Sequence, residues 1–129
     1  MSGLHHVAIT VSDLDRSVEW YQRVLGLVER FREASPNRRA AILGFQTAAD
    51  SVGLVEHLGS TGAPFDPTVT GLDHLAMAVP SIEELQEWGA HFDAQGIPHS
   101  GVIEIPPGAI LNFRDPDNVA LALFWDRPE

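Results

Sequence analysis

His6 and His74 stand sixty-eight residues apart, and each opens an apolar alternating run, His6-Val7-Ala8-Ile9-Thr10-Val11 and His74-Leu75-Ala76-Met77-Ala78-Val79. Period-two alternation puts His6 on one sheet face with Ala8 and Thr10, and His74 on one face with Ala76 and Ala78. Small neighbours suit a cavity wall. Two neutral imidazoles turned into one cavity form half of a divalent-metal site, and an unligated imidazole facing a substrate carbon acid can instead shuttle a proton. A lone strand histidine reads first as a core or edge residue; its repetition at the same point of two similar runs favours the cavity. The chain has no cysteine, so thiolate chemistry, disulfides and Cys-based clusters are excluded and any metal must rest on His and carboxylates.

Candidates around this pair come from the strands that would surround it. Glu56 and His57 end one apolar strand, and Phe124, Trp125 and Asp126 end another. Glu104, between Ile103 and Ile105, belongs either to the wet face of its strand or to the cavity. Phe124 and Trp125 offer aromatic surface to a ligand, and His57 is placed to line a mouth. Trp20 and Trp88 lie on helices at equivalent positions and read as core, while His91 and His99 carry no supporting pattern.

These positions need elements to carry them, and the repeat supplies two sets. Gly3-Leu4-His5-His6 recurs as Gly71-Leu72-Asp73-His74, Trp20 as Trp88, and Ala41-Ile42-Leu43-Gly44-Phe45 as Ala109-Ile110-Leu111-Asn112-Phe113. After the first strand, Ser12 or Asp13 caps a helix with Leu14, Val18, Tyr21 and Leu25 on its apolar stripe and Gly26 at its end. In the second half Ser81 caps, Glu84 is its capping-box partner, Leu85, Trp88 and Phe92 form the stripe, and Gly96 closes. Three strands follow in each half: Leu27 to Arg32, Arg39 to Gln46 and Val52 to His57, then His99 to Ile105, Ala109 to Arg114 and Val119 to Trp125. Asp115-Pro116-Asp117-Asn118 is a turn. The predicted class is α+β, one domain over 1–129, with βαβββ modules 1–58 and 71–129 joined by a linker at 59–70. Each module is small for burying a sheet alone, so the two sheets are expected to curve around a shared cavity.

Composition narrows the partners. The 129 residues carry 8 Lys plus Arg against 18 Asp plus Glu, a net charge of −10, which leaves no broad basic surface for nucleic acid. Acidity of this degree suits a cationic ligand, although solubility explains it more simply. No apolar run is long enough to span a bilayer, and the first residues lack the features of a secretion signal, so a cytoplasmic protein is expected.

The stretch from Leu4-His5-His6 through Asp13-Leu14-Asp15-Arg16-Ser17, Trp20-Tyr21 and Val24-Leu25-Gly26-Leu27, then Leu72-Asp73-His74-Leu75-Ala76-Met77-Ala78-Val79 and Phe113-Arg114-Asp115-Pro116-Asp117-Asn118, resembles the vicinal oxygen chelate superfamily of glyoxalases, extradiol dioxygenases and bleomycin-resistance proteins. The resemblance covers essentially the whole chain. It implies a homodimer and a divalent metal (Zn, Ni, Fe, Mn or Co), with one ligand from the first and one from the last strand of each half. His6 and His74 match the first-strand ligands; His5 does not. The last-strand positions fall at Val55 and Ala122, which have no ligand atom, and only a bulge or register slip would bring Glu56 inward to replace the missing carboxylate.

Two function classes follow. The first is a glyoxalase-like isomerase, epimerase or lyase acting on a small oxygenated substrate through His6 and His74, with an altered or degenerate metal site. Extradiol ring cleavage fits less well, because the carboxylate it needs falls at Ala122. The second is a metal-free protein that binds a small molecule or drug, like the bleomycin-resistance branch.

Overall fold

The computed structural model describes residues 1–46 and 49–129, which divide into two compact units, Met1–Ala63 and Pro64–Glu129. The first contains β1 (His6–Thr10), α1 (Leu14–Leu25), β2 (Val28–Ser35), β3 (Arg38–Gly44) and β4 (Ser51–His57). The second contains β5 (Leu75–Ala78), α2 (Ile82–Ala94), β6 (His99–Ile105), β7 (Gly108–Arg114) and β8 (Ala120–Asp126). Each unit is a four-stranded mixed sheet, ordered β1-β4-β3-β2 and β5-β8-β7-β6, with the outer β1 and β5 parallel to β4 and β8. The fold is therefore α+β with the βαβββ module written twice.

Local chemistry explains the helix ends. Asp13, rather than Ser12, caps α1: its carboxylate accepts from the Arg16 N–H, while the Ser12 hydroxyl accepts from the Arg16 guanidinium. Gly26 stops the helix at φ 69°, a left-handed geometry that costs an L side chain strain. In α2 the Ser81 hydroxyl accepts from the Glu84 N–H. That helix ends on Gln95, one residue before the expected Gly96, which follows in the left-handed region while the Ile97 N–H returns to the Phe92 carbonyl.

Leu14, Val18, Tyr21, Val24 and Leu25 are buried from α1, and Leu85 and Phe92 from α2. Removing a large apolar side chain from water stabilises the fold by roughly 1.5–3 kcal/mol. Trp20 joins this core; Trp88 does so only in part, half-buried with its ring edge-on to His91 and tilted on Phe92. The Asp-Pro-Asp-Asn turn is built as an Asx cage, since the Asp115 carboxylate accepts from the Asp117 and Val119 N–H groups, both at 2.8 Å.

Candidate functional site

Each sheet has one face under its helix and one turned away from it, termed the open face, and the ladders assign residues to them. In the first unit the Glu56 carboxylate reaches the Leu14 N–H at the start of α1, so Val52, Leu54 and Glu56 belong to the helix side. Ser51, Gly53, Val55 and His57 therefore face away from α1. Parallel pairing joins His6 to Ser51, Ala8 to Gly53 and Thr10 to Val55, which places His6 on that open face. In the second unit Phe92 of α2 stacks on Phe113, whose partner is Leu121, so Leu121 and Leu123 lie under the helix. Ala76, Ala78, Ala122 and Phe124 take the open face, and alternation puts His74, one residue before β5, with them.

The register corrects the expected ligand positions. Ala8 pairs with Gly53 and its repeat equivalent Ala76 pairs with Ala122, so Gly53, not Val55, is the counterpart of Ala122. Val55 corresponds instead to Phe124. The expected position is two residues off, a shift that keeps the face and so escapes any test by alternation. Gly53 carries no ligand atom, and even a Cβ there would sit 3.3 Å from the Ala8 Cβ and 3.4 Å from Ile42 Cδ1. Ala122 is 1% exposed.

Glu56 has other partners. Its carboxylate accepts from the Leu14 N–H at 2.7 Å and from Arg39 at 3.0 Å, and these bonds hold its pKa below the ordinary value of 4.5, the helix N–H first. No slip turns it to the His6 face, and its geometry gives no support to the role of third ligand. Within either unit, among the described residues, no group of three His, Asp or Glu side chains is placed to hold a metal.

Each histidine of the pair is contacted by the residue before it. His5 and His6 meet Nδ1 to Nδ1 at 2.8 Å with their rings edge-on, and His74 Nδ1 lies 2.7 Å from the Asp73 carboxylate. In both, Nε2 is the remaining nitrogen, and both rings are exposed. The four residues expected to touch a ligand separate: His57 and Phe124 share the open faces, whereas Trp125 and Glu104 both pair with Ala109, on the α2 side. Arg127 covers the Trp125 ring at 5.6 Å. His99, which carried no pattern, fastens α2: its ring packs on Phe92 and its Nε2 lies 2.7 Å from Asp93. Open-face polar residues that escaped the sequence reading include Ser51 opposite His6, Arg30 at a bulge, Asn112 opposite Ala122 and Arg114 opposite Ala120. A two-residue periodicity around each would have found Ser51 and Asn112; nothing in the sequence announces the bulge.

A model of the Glyoxalase/Bleomycin resistance protein/Dioxygenase superfamily matches residues 3–123. The chain belongs to this superfamily. Within it, a glyoxylase/bleomycin resistance protein/dioxygenase domain from Frankia sp. EAN1pec has 36% identity and a TM-score of 0.92, covering 98% of this chain and 99% of that one. The putative ring-cleaving dioxygenase MhqA of Bacillus subtilis is 26% identical over 129 residues, 98% of this chain; the chain spans 41% of that protein's length. The fosfomycin resistance protein FosX of Listeria monocytogenes, solved with Mn(II) and sulfate, shares the fold at a TM-score of 0.73 and 21% identity, with 98% and 94% of the chains covered. Within each unit the last-strand position beside the repeated histidine's strand, Gly53 or Ala122, carries no donor atom, so neither histidine has a last-strand carboxylate to complete a metal's coordination and neutralise its charge.

Proposed function

We propose that this chain is a small-molecule-binding member of the superfamily that works without the family's divalent metal, with His6 and His74 as its principal polar groups. The observation that carries this reading is the ladder equivalence of Gly53 and Ala122, two packed positions without a donor atom, together with the commitment of Glu56 to α1 on the opposite sheet face. Small residues around each histidine leave its imidazole free to meet an oxygenated or heteroaromatic ligand. Phe124 and His57 extend the same faces.

The test is metal analysis of protein purified without chelator, followed by calorimetric titration with Mn(II), Zn(II), Ni(II), Co(II) and Fe(II). The expected result is substoichiometric metal and no tight binding. A one-to-one metal lost on His6→Ala and His74→Ala would sink the proposal.

A second reading keeps the fold as an enzyme for an isomerase-, epimerase- or lyase-type reaction. Its support is the 2.7 Å contact of Asp73 with His74 Nδ1, which favours the tautomer with an unprotonated Nε2 able to accept a substrate proton. Turnover lost on His74→Ala, with ligand binding retained, separates it from the first. In keeping with the sequence expectations we infer a cytoplasmic homodimer; among the described residues no helix is long and apolar enough to cross a membrane.

A further inference from the structure

We infer that one end of the open face of the first unit binds the anionic group of a small molecule, a carboxylate, phosphonate or phosphate, between Arg30, Ser51 and His6. This rests on the small-molecule reading above and names the ligand class.

The first observation is a bulge. β2 pairs Val28 with Gly44 and Glu29 with Leu43, then resumes at Phe31 with Ile42, so Arg30 is the extra residue. A bulge re-aims the side chain it carries. The Arg30 guanidinium lies where a side chain on Gly44 would be: a Cβ there would stand 2.5 Å from Nε and 3.1 Å from Nη2. Gly44 thus makes the place for Arg30 on the open face.

The second is the register. Gly44 pairs with Ser51, and Ser51 with His6, so Arg30, Ser51 and His6 share one line across β3, β4 and β1. With neighbouring strands about 4.8 Å apart, an oxyanion over Ser51 is one strand from the guanidinium and one from the imidazole. Gly53 and Ala8, in the next row of the same face, keep the floor low for the rest of the ligand.

The third is the charge of Arg30. Arg23, Arg32, Arg38 and Arg39 of the same unit each pair with a carboxylate. Among the described residues none pairs with Arg30, whose Nη2 donates to the Phe45 carbonyl at 3.2 Å. A guanidinium so held keeps donors for a planar or tetrahedral oxyanion.

The second unit builds the same row by another route. Arg114 occupies the ladder position of Gly44, opposite Ala120, and His74 stands one residue before Leu75, the partner of Leu121. Arg114 also donates to a backbone carbonyl, that of Asn118 at 3.1 Å. One arginine comes from the strand itself and the other from a bulge on its neighbour, yet both reach the line of the repeated histidine.

The test titrates the full-length protein calorimetrically with benzoate, phenylphosphonate and the neutral benzamide. Benzoate or phenylphosphonate is expected to bind at least about tenfold more tightly than benzamide, as a charge-assisted contact requires, and the tighter of the two names the anion. Arg30→Ala should remove that preference, Arg30→Lys should restore part of it, and Gly44→Ala should mimic Arg30→Ala by displacing the guanidinium. Melting temperatures close to wild type would show that the variants fold. The inference is overturned if Arg30→Ala binds the anions as wild type does, or if benzamide binds as well as benzoate. Stoichiometric metal on the histidines with the Arg30 dependence intact would overturn the metal-free reading alone.

Discussion

The two units share one topology but fasten their helices differently. In the first, Asp15 and Glu56 meet Arg32 and Arg39 in a charged strap from the start of α1 to β2, β3 and β4. In the second, α2 is held by rings: Phe92 lies 4.5 Å from Phe113 and 6.0 Å from His99, with Trp88 outside it at 5.8 Å. Charge divides in parallel. The first unit has six arginines against seven acidic residues, a net of −1, and the second has two against eleven, a net of −9. The fold therefore requires an apolar helix face over a sheet but leaves the fastening to other residues. What stays common is the open-face row of arginine and histidine, where neither fastening reaches.

The largest expected effect is in the second unit. Phe92 is 0% exposed, and Phe92→Ala should cost roughly 3–5 kcal/mol, read as a lower melting temperature or denaturant midpoint. An effect under 1 kcal/mol would mean that the rings do not carry α2. Next is Glu56→Gln, which keeps shape but weakens the bond to the Leu14 N–H; a loss of about 1 kcal/mol is expected by chemical denaturation. The charged strap should also respond to acid. The Glu56 and Asp15 pKa values are lowered by folding, so their stabilisation is complete above the unfolded values, near 4.5 and 3.8, and is lost as pH falls through the folded values. Hydrogen exchange below about pH 4.5 should then loosen α1 amides more than α2 amides; equal loosening would erase the contrast. The smallest effect concerns Ser17, fully buried on α1 with no partner for its hydroxyl among the described residues. Ser17→Ala should leave stability unchanged or raise it by up to about 1 kcal/mol, and a clear loss would reveal a hydrogen bond.

Much of the architecture was legible in the residues. The Leu14, Val18, Tyr21 stripe, the caps at Asp13 and Ser81, the Gly26 end and the Asp115 turn depend on neighbours within four residues, and all recur in the structure, whereas α2 ends on Gln95 just short of Gly96. The candidate site was legible in part. Repetition singled out His6 and His74, but the last-strand position expected at Val55 lies two residues past Gly53, because the apolar runs Val52 to Val55 and Val119 to Phe124 offer no internal mark. Trp125 and Phe124 are adjacent and equally aromatic, so only the pairing of β7 with β8 assigns them to opposite faces.

Local periodicity, capping and the internal repeat were enough to establish the class, the two modules and the pair of histidines, because those properties depend on contacts short in sequence. The identity of Gly53 with Ala122, the attachment of Glu56 to α1 and the arrival of Arg30 beside the row of His6 were decided by tertiary pairing. Each depends on which residue lies opposite which across a ladder, and a two-residue shift or a single bulge changes that partner while leaving the alternation almost untouched.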